Sequence, residues 1–246
     1  MRSERAGLKP CPSEALNSIF QRLAKLRSIM LRILLADDHH VIRRGLRSLL
    51  EEKPEWKVCG EASNGREAVE MAATLMPHIA VVDLSMPELN GLEATRQIVK
   101  NVPSTAVLIY TMDESEKVVH EVLSAGAKGI VLKTDLDSSL VQAVETIAQG
   151  KPFFTSRVAE TVLKAYLAQR EAEGKAEVPD YNPLTARERE VMQLLAEGKS
   201  NKEVGSILGI STRTAHTHHA EIIHKLKLKS LSELVRYAIR NGLIRP

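Results

Sequence analysis

Three aspartates, a threonine and a lysine stand directly after short apolar runs. Ile33-Leu34-Leu35-Ala36 leads into Asp37-Asp38, Ile79-Ala80-Val81-Val82 into Asp83, Val107-Leu108-Ile109-Tyr110 into Thr111, and Gly129-Ile130-Val131-Leu132 into Lys133. If these runs are strands of an open parallel α/β sheet, groups just past their carboxyl ends converge in one crevice, where such sheets bind ligands. Carboxylates with a hydroxyl and an ammonium make a pocket for a metal ion and a phosphoryl group. Magnesium takes hard oxygen ligands and retains waters, so Asp37 and Asp38 suit it as ligands alongside a phosphate. Asp83, alone at the end of its run, is the candidate nucleophile. Thr111 and Lys133 are placed to bind phosphoryl oxygens, and positioning with charge neutralisation is most of what phosphoryl transfer requires.

The elements that must hold these groups are legible between them. Each apolar run alternates with a helical pattern: Ile42, Leu46, Leu49 and Leu50; Ala68, Ala72 and Leu75; Leu92, Ile98 and Val99; Val118, Val119, Val122 and Leu123; Leu136, Leu140, Val144 and Ile147. A weaker strand around Val58 lies between Pro54 and Gly60. Five βα units with nearly all-apolar strands predict a doubly wound, flavodoxin-like, five-stranded parallel sheet covered on both faces.

Asp37-Asp38, the run from Asp83 through Pro87 to Asn90-Gly91, Thr111, and Ala125-Gly126 through Lys133 together resemble the receiver domain of two-component response regulators. The resemblance spans residues 31–150. It implies that Asp83 is the phosphoacceptor, that Asp37, Asp38, Asp83 and the Ser85 backbone carbonyl bind Mg2+, and that Lys133 binds the phosphate. It also implies that Thr111 is the switch hydroxyl and that a sensor histidine kinase is the donor. Such a domain is not an enzyme in the ordinary sense, since it catalyses only its own phosphoryl transfer and slow dephosphorylation. The family usually carries Tyr or Phe three residues before the lysine, and this chain has Ile130. Tyr110 cannot simply replace that ring, because neighbouring strand residues face opposite ways.

Charge marks a second domain. Residues 31–150 carry 12 basic and 18 acidic side chains, whereas residues 181–246 carry 11 and 6. An acidic half joined to a basic half assigns polyanion binding to the second. The segment 151–181 reads as a linker with a short helix around Val158 to Leu167, followed by a polar tether. Residues 1–30 read either as a disordered extension, as a basic amphipathic helix, or as sequence upstream of a start at Met30. Cys11 and Cys59 form no framework or metal knuckle, so free thiols in a reducing cytoplasm are expected. No apolar stretch has the length of a membrane span.

In residues 182–246, Thr185 with Glu188, Ser200 with Glu203, and Ser230 with Glu233 have the spacing of capping boxes. The helix starting at Ser211 has Thr214 in that place, and no acidic residue occurs from Val204 to Ala220. A helix start without carboxylates is suited to approach phosphate. Gly209 and Ser211 leave only a tight turn between two helices, as a helix-turn-helix requires, and Gly205 permits a close crossing there.

Leu184-Thr185, Arg187 to Val191, Ser200 to Glu203, Leu208 to Ser211, Thr214, His218, Lys225-Leu226 and Gly242 to Ile244 resemble the LuxR-type DNA-binding domain. With the receiver, this is similar to the NarL/FixJ family of response regulators: a small all-α domain with a scaffold helix near 200–208, a recognition helix near 212–227 and a dimerisation helix near 231–241. DNA contact is expected from Lys202, Ser211, Arg213, Thr214, His216, Thr217, His218 and Lys225, with Arg213, His216 and Thr217 facing bases. Leu234, Val235, Ala238 and Ile239 form an apolar stripe, read either as a dimer contact or as core.

The resulting expectation is a cytoplasmic, phosphorylation-controlled transcription regulator that binds double-stranded promoter DNA as a homodimer. Two other readings stand beside it. A phosphatase using Asp83 would favour a second aspartate where this chain has Ser85. A phosphorylation-independent binding module is kept open by Ile130.

Overall fold

The computed structural model describes residues 30–135, 137–156, 158–160, 183–228 and 230–244. The N-terminal extension and nearly all of the linker helix expected around 158–167 therefore lie outside the described residues.

The first domain alternates strand and helix: β1 (Leu31–Ala36), α1 (His40–Leu50), β2 (Trp56–Ala62), α2 (Gly65–Leu75), β3 (Ile79–Val82), α3 (Gly91–Asn101), β4 (Ala106–Thr111), α4 (Glu116–Ser124), β5 (Gly129–Leu132), α5 (Asp137–Ala148) and β6 (Phe153–Phe154). The strands order as β2-β1-β3-β4-β5-β6, all parallel. The expected five-stranded sheet thus has six strands. The sixth is two residues long, pairs Phe153 with Gly129 and Phe154 with Ile130, and falls in the segment read as linker. A two-residue strand has too little alternation to show in sequence.

The apolar runs are buried on both faces for the reason their composition implied. Leu34, Ala36, Ala80, Val82, Val107, Ile109 and Ile130 pack with α2, α3 and α4 on one side of the sheet. Ile33, Leu35, Ile79, Val81, Leu108 and Val131 pack with α1 and α5 on the other. Period-two alternation within each strand feeds two cores at once. Tyr110 packs on the α1/α5 side and Ile130 on the opposite one, so the tyrosine does not occupy the place of the missing ring.

Among the described residues the second domain has four helices: α6 (Ala186–Ala196), α7 (Asn201–Leu208), α8 (Thr212–Leu226) and α9 (Leu231–Arg240). The Thr185/Glu188 and Ser200/Glu203 capping boxes form in full, and Ser211 and Ser230 each accept the third backbone N–H of their helices. At the α7–α8 turn, a Cβ on Gly205 would stand 2.8 Å from the Ile210 carbonyl oxygen, so the crossing requires glycine. A single core of Leu184, Val191, Met192, Leu194, Leu195, Val204, Leu208, Ala215, Ile222, Leu234, Ala238 and Leu243 holds the helices together.

Candidate functional site

The carboxyl ends of β1, β3, β4 and β5 bring Asp37, Asp83, Thr111 and Lys133 together. Asp37, Asp83 and Thr111 are 2%, 3% and 2% exposed. Lys133 Nζ lies 2.6 Å from Asp37 Oδ2 and 2.9 Å from Asp83 Oδ2. Two buried carboxylates therefore share one ammonium. Asp83 follows β3 directly, its N–H donating to the Ala36 carbonyl at 2.8 Å, and the Lys133 N–H donates to the Thr111 carbonyl at 2.7 Å. These backbone bonds lock the four strand ends in register. Arg43 Nη1 donates to the Asp37 carbonyl oxygen, pinning the start of the acidic loop from α1.

Asp38 and His39 form the rim. His39 Nδ1 is 2.8 Å from Asp38 Oδ1 and 3.3 Å from Asp37 Oδ1, and the His39 N–H donates to Asp37 Oδ1 at 2.8 Å. Asp37, Asp38 and His39 each direct one possible ligand atom into a common region. The pocket holds more negative than positive charge: Asp37, Asp38 and Asp83 against Lys133. Its donors are chiefly hard carboxylate oxygens. A divalent, oxygen-seeking ion suits both properties, and the receiver family binds Mg2+ at such an acidic pocket.

Thr111 Oγ1 accepts the Asp113 N–H at 3.2 Å, so the hydroxyl is engaged with its own loop. Lys133 Nζ stands 5.7 Å from the centre of the Tyr110 ring, a contact the sequence reading did not foresee. Burial raises the Tyr110 phenol above its ordinary pKa, reinforced by Asp137, Asp37, Asp135 and Asp83, so it stays neutral beside the lysine.

Gly91 closes the loop after Asp83. Its N–H donates to the Leu84 carbonyl at 2.8 Å, and a Cβ there would be 1.9 Å from the Asp83 carbonyl oxygen. The loop returns so tightly on Asp83 that no side chain fits.

In the second domain, Arg213, Thr214, His216 and Thr217 are exposed on α8, preceded by exposed Ser211, and Lys202 is exposed on α7. His216, His219, Ala220, Ile223, His224, Lys227 and Leu228 line an open groove of about 650 Å³ along α8. Burial lowers the His219 pKa, and the neighbouring His216 lowers it further. His218 is half-buried, 3.6 Å from Glu221.

Two expectations need correction. Lys225 is committed to structure: its Nζ lies 2.7 and 2.8 Å from the two carboxylate oxygens of buried Glu188. The sequence reading missed this because Glu188 also completes the α6 capping box, and one carboxylate serves both. Leu234 and Ala238, half of the apolar stripe, are 0% exposed in the domain core; the stripe turns inward there, and only Val235 and Ile239 remain half-buried on α9.

The comparisons agree with this geometry. Residues 33–145 match the response regulator receiver domain, and residues 182–238 match the bacterial regulatory proteins of the luxR family. The chain is 37% identical over 215 residues to the transcriptional regulatory protein LiaR of Bacillus subtilis, covering 87% of this chain and 100% of the relative. This chain belongs to the LuxR-type response regulators. It is also 34% identical over 216 residues to the oxygen regulatory protein NreC of Staphylococcus epidermidis, covering 87% and 99%. A solved structure of two RcsB dimers bound to two parallel DNAs is similar at 25% identity and a TM-score of 0.52, covering 86% of this response regulator and 98% of that chain. No helix among the described residues is long and apolar enough to cross a membrane.

Proposed function

We propose that this response regulator is a cytoplasmic transcription factor switched by phosphorylation of Asp83. The observation that carries the reading is the Lys133 bridge between buried Asp37 and Asp83, at the ends of adjacent strands, in a chain whose second domain presents an exposed recognition helix.

An Asp83 carboxylate oxygen attacks the phosphorus of a phosphohistidine on a sensor kinase. The new P–O bond forms as the P–N bond breaks, and the imidazole leaves. Lys133, already on Asp83, neutralises the incoming phosphoryl oxygens, and the Thr111 hydroxyl donates its O–H to one of them. Asp37, Asp38, Asp83 and the Ser85 carbonyl are the residues that would hold Mg2+, which when bound neutralises charge on the transferring group. Burial strengthens each of these interactions relative to water.

The phosphorylated protein then acts as a homodimer on double-stranded promoter DNA, with half-sites spaced by about one helical turn or a multiple of it. Arg213, His216 and Thr217 on the exposed face of α8 read bases. Lys202, Ser211, Thr214 and His218 meet the backbone, which supplies affinity more than specificity.

The test is acetyl phosphate treatment of the full chain with and without Mg2+, followed by mass spectrometric mapping. One acyl phosphate on Asp83, absent in Asp83→Asn and after chelation, is expected, together with tighter promoter binding. A stable mark on Asp37 or Asp38, or labelling indifferent to chelation, would overturn the assignment.

A further inference from the structure

The first helix of the DNA-binding domain reaches into the loop that follows the phosphoacceptor. Gln193, on α6, is fully buried. Its Nε2 donates to the Met86 carbonyl at 3.0 Å, and its Oε1 accepts the Asn90 backbone N–H at 2.8 Å and Asn90 Nδ2 at 3.1 Å. One amide therefore ties the two sides of the Asp83–Gly91 loop together. Glu197, one turn later, accepts the Glu88 N–H at 3.1 Å, at a residue held in the left-handed region with φ of 64°.

The contact is anchored beyond the loop by a largely buried polar network. Arg189 Nη2 lies 2.9 Å from Glu93, Arg66 Nη2 lies 3.2 Å from Glu190, and Gln97 Nε2 donates to Glu190 at 2.9 Å. It does not cover the recognition helix, whose Thr212, Arg213, Thr214, His216 and Thr217 stay exposed. What it does cover is the loop.

Within that loop, Ser85 lies between Leu84, whose carbonyl accepts the Gly91 N–H, and Met86, whose carbonyl is held by Gln193. We propose that Gln193 is a positioning residue of the phosphoacceptor site: by clamping Met86 to Asn90 it fixes the Ser85 carbonyl, so that the docked DNA-binding domain prepares the pocket for Mg2+. The inference rests on the reading of Asp83 and its neighbours as the metal and phosphoryl site. A loop ordered in advance does not lose that freedom when the ion binds, which raises affinity without adding a ligand. Because such coupling is reciprocal, Mg2+ in the pocket in turn favours the docked arrangement.

Gln193→Met keeps the side-chain length and removes every hydrogen bond of the amide, to Met86, to Asn90 and to Glu197. Three measurements on the full chain test the clamp: Mg2+ affinity by calorimetry, hydrogen exchange at the Asn90 amide, and the Mg2+ dependence of acetyl phosphate labelling. The variant is expected to bind Mg2+ roughly tenfold more weakly, in the range seen when an outer-shell partner of a metal ligand is lost. Asn90 exchange should accelerate. Labelling should need more Mg2+ yet reach the wild-type rate at saturation, a split that loss of folding would not give. Gln193→Glu, which keeps the acceptor for Asn90 but loses the donor to Met86, should fall between. Wild-type Mg2+ affinity in Gln193→Met overturns the proposal, as does a lowered rate at saturating Mg2+. If wild type binds Mg2+ in a Gln193-dependent way but Asp83 is never labelled, the clamp stands and the phosphoacceptor reading fails. If wild type binds no Mg2+, the clamp fails with it.

Discussion

Lys133 and Lys225 were both singled out as phosphate-binding lysines, one for a phosphoryl group and one for DNA, and the structure pairs both with buried carboxylates. Lys133 bridges two aspartates that converge from different strands. Lys225 meets a single glutamate, Glu188, that is already hydrogen-bonded to Thr185 as part of a helix cap. The first pairing concentrates charge in excess of what the lysine neutralises, so a further cation and anion can enter. The second is balanced and joins α8 to α6, with the lysine itself 38% exposed. A paired lysine marks a site only where the carboxylates around it outnumber it.

The same contrast separates the two domains. The receiver pocket is buried and preorganised, the arrangement the proposed phosphoryl transfer needs to stabilise charge while a bond forms. The α8 surface is exposed because base edges and phosphates must find unoccupied groups.

The comparison breaks first, and with the largest effect, at the glycines that permit each close approach. Gly91→Ala forces a Cβ to within 1.9 Å of a backbone oxygen, and about 4 kcal/mol or more of receiver stability should be lost, at the severe end for single substitutions. Gly205→Ala, with 2.8 Å to relieve, should cost about 1–3 kcal/mol in the second domain. Urea titrations following each domain separately would check both; equal losses would mean that the loop after Asp83 is less rigid than its contacts imply.

Leu234→Asp should lower second-domain stability by about 3 kcal/mol or more, because it places an unpaired charge in a fully apolar core. Val235→Asp, on the half-buried side of α9, should leave the melting temperature within about 2 °C and weaken promoter binding instead. Melting curves beside gel-shift assays decide this; a stable Leu234→Asp protein would return that residue to the dimer contact.

The two lysines are separated by paired substitutions. Lys225→Met should cost about 1–2 kcal/mol in the second domain, moderated by the partial exposure of the lysine, while leaving acetyl phosphate labelling intact. Lys133→Met should abolish labelling. The Lys225 contact also has a pH signature. Burial alone would raise the Glu188 pKa, but the hydrogen bonds from Lys225 and Thr185 outweigh it, and the result lies below the ordinary value of 4.5. A carboxylate depressed in the folded state contributes stability above its unfolded pKa and loses it as pH falls through the folded one. The wild-type domain should therefore lose stability below about pH 4.5 more steeply than Lys225→Met; identical acid profiles would deny the ion pair.

The smallest effect concerns the histidines of the α8 groove. Burial and His216 keep His219 below its usual pKa in the free protein, whereas a DNA phosphate favours the charged form. Affinity should rise by up to about tenfold per pH unit for each proton taken up, as pH falls towards the free-state pKa, with a steeper salt dependence because each newly charged contact releases a counterion. His216→Gln combined with His219→Gln should flatten both trends. A salt slope independent of pH in wild type would assign these histidines to packing.

Sequence alone determined the strand ends, the helix starts and the order of the two domains, because these rest on local patterns: runs that end in Asp37, Asp83, Thr111 and Lys133, and caps at Thr185, Ser200, Ser211 and Ser230. The convergence of Asp37, Asp83, Thr111 and Lys133 followed from sheet topology once the runs were recognised as parallel strands. Tertiary structure decided the rest. Whether Lys225 faces DNA or Glu188, and whether Leu234 faces a partner or the core, depends on how helices cross, and α8 and α9 have the same apolar spacing in either case. The β6 pairing is too short to carry a period. Gln193 is an ordinary helix residue until α6 docks 103 residues away from Asn90, and a hydrogen bond between groups so far apart in the chain has no local precursor in the sequence; it exists only because two separately folded surfaces leave one amide buried against one loop.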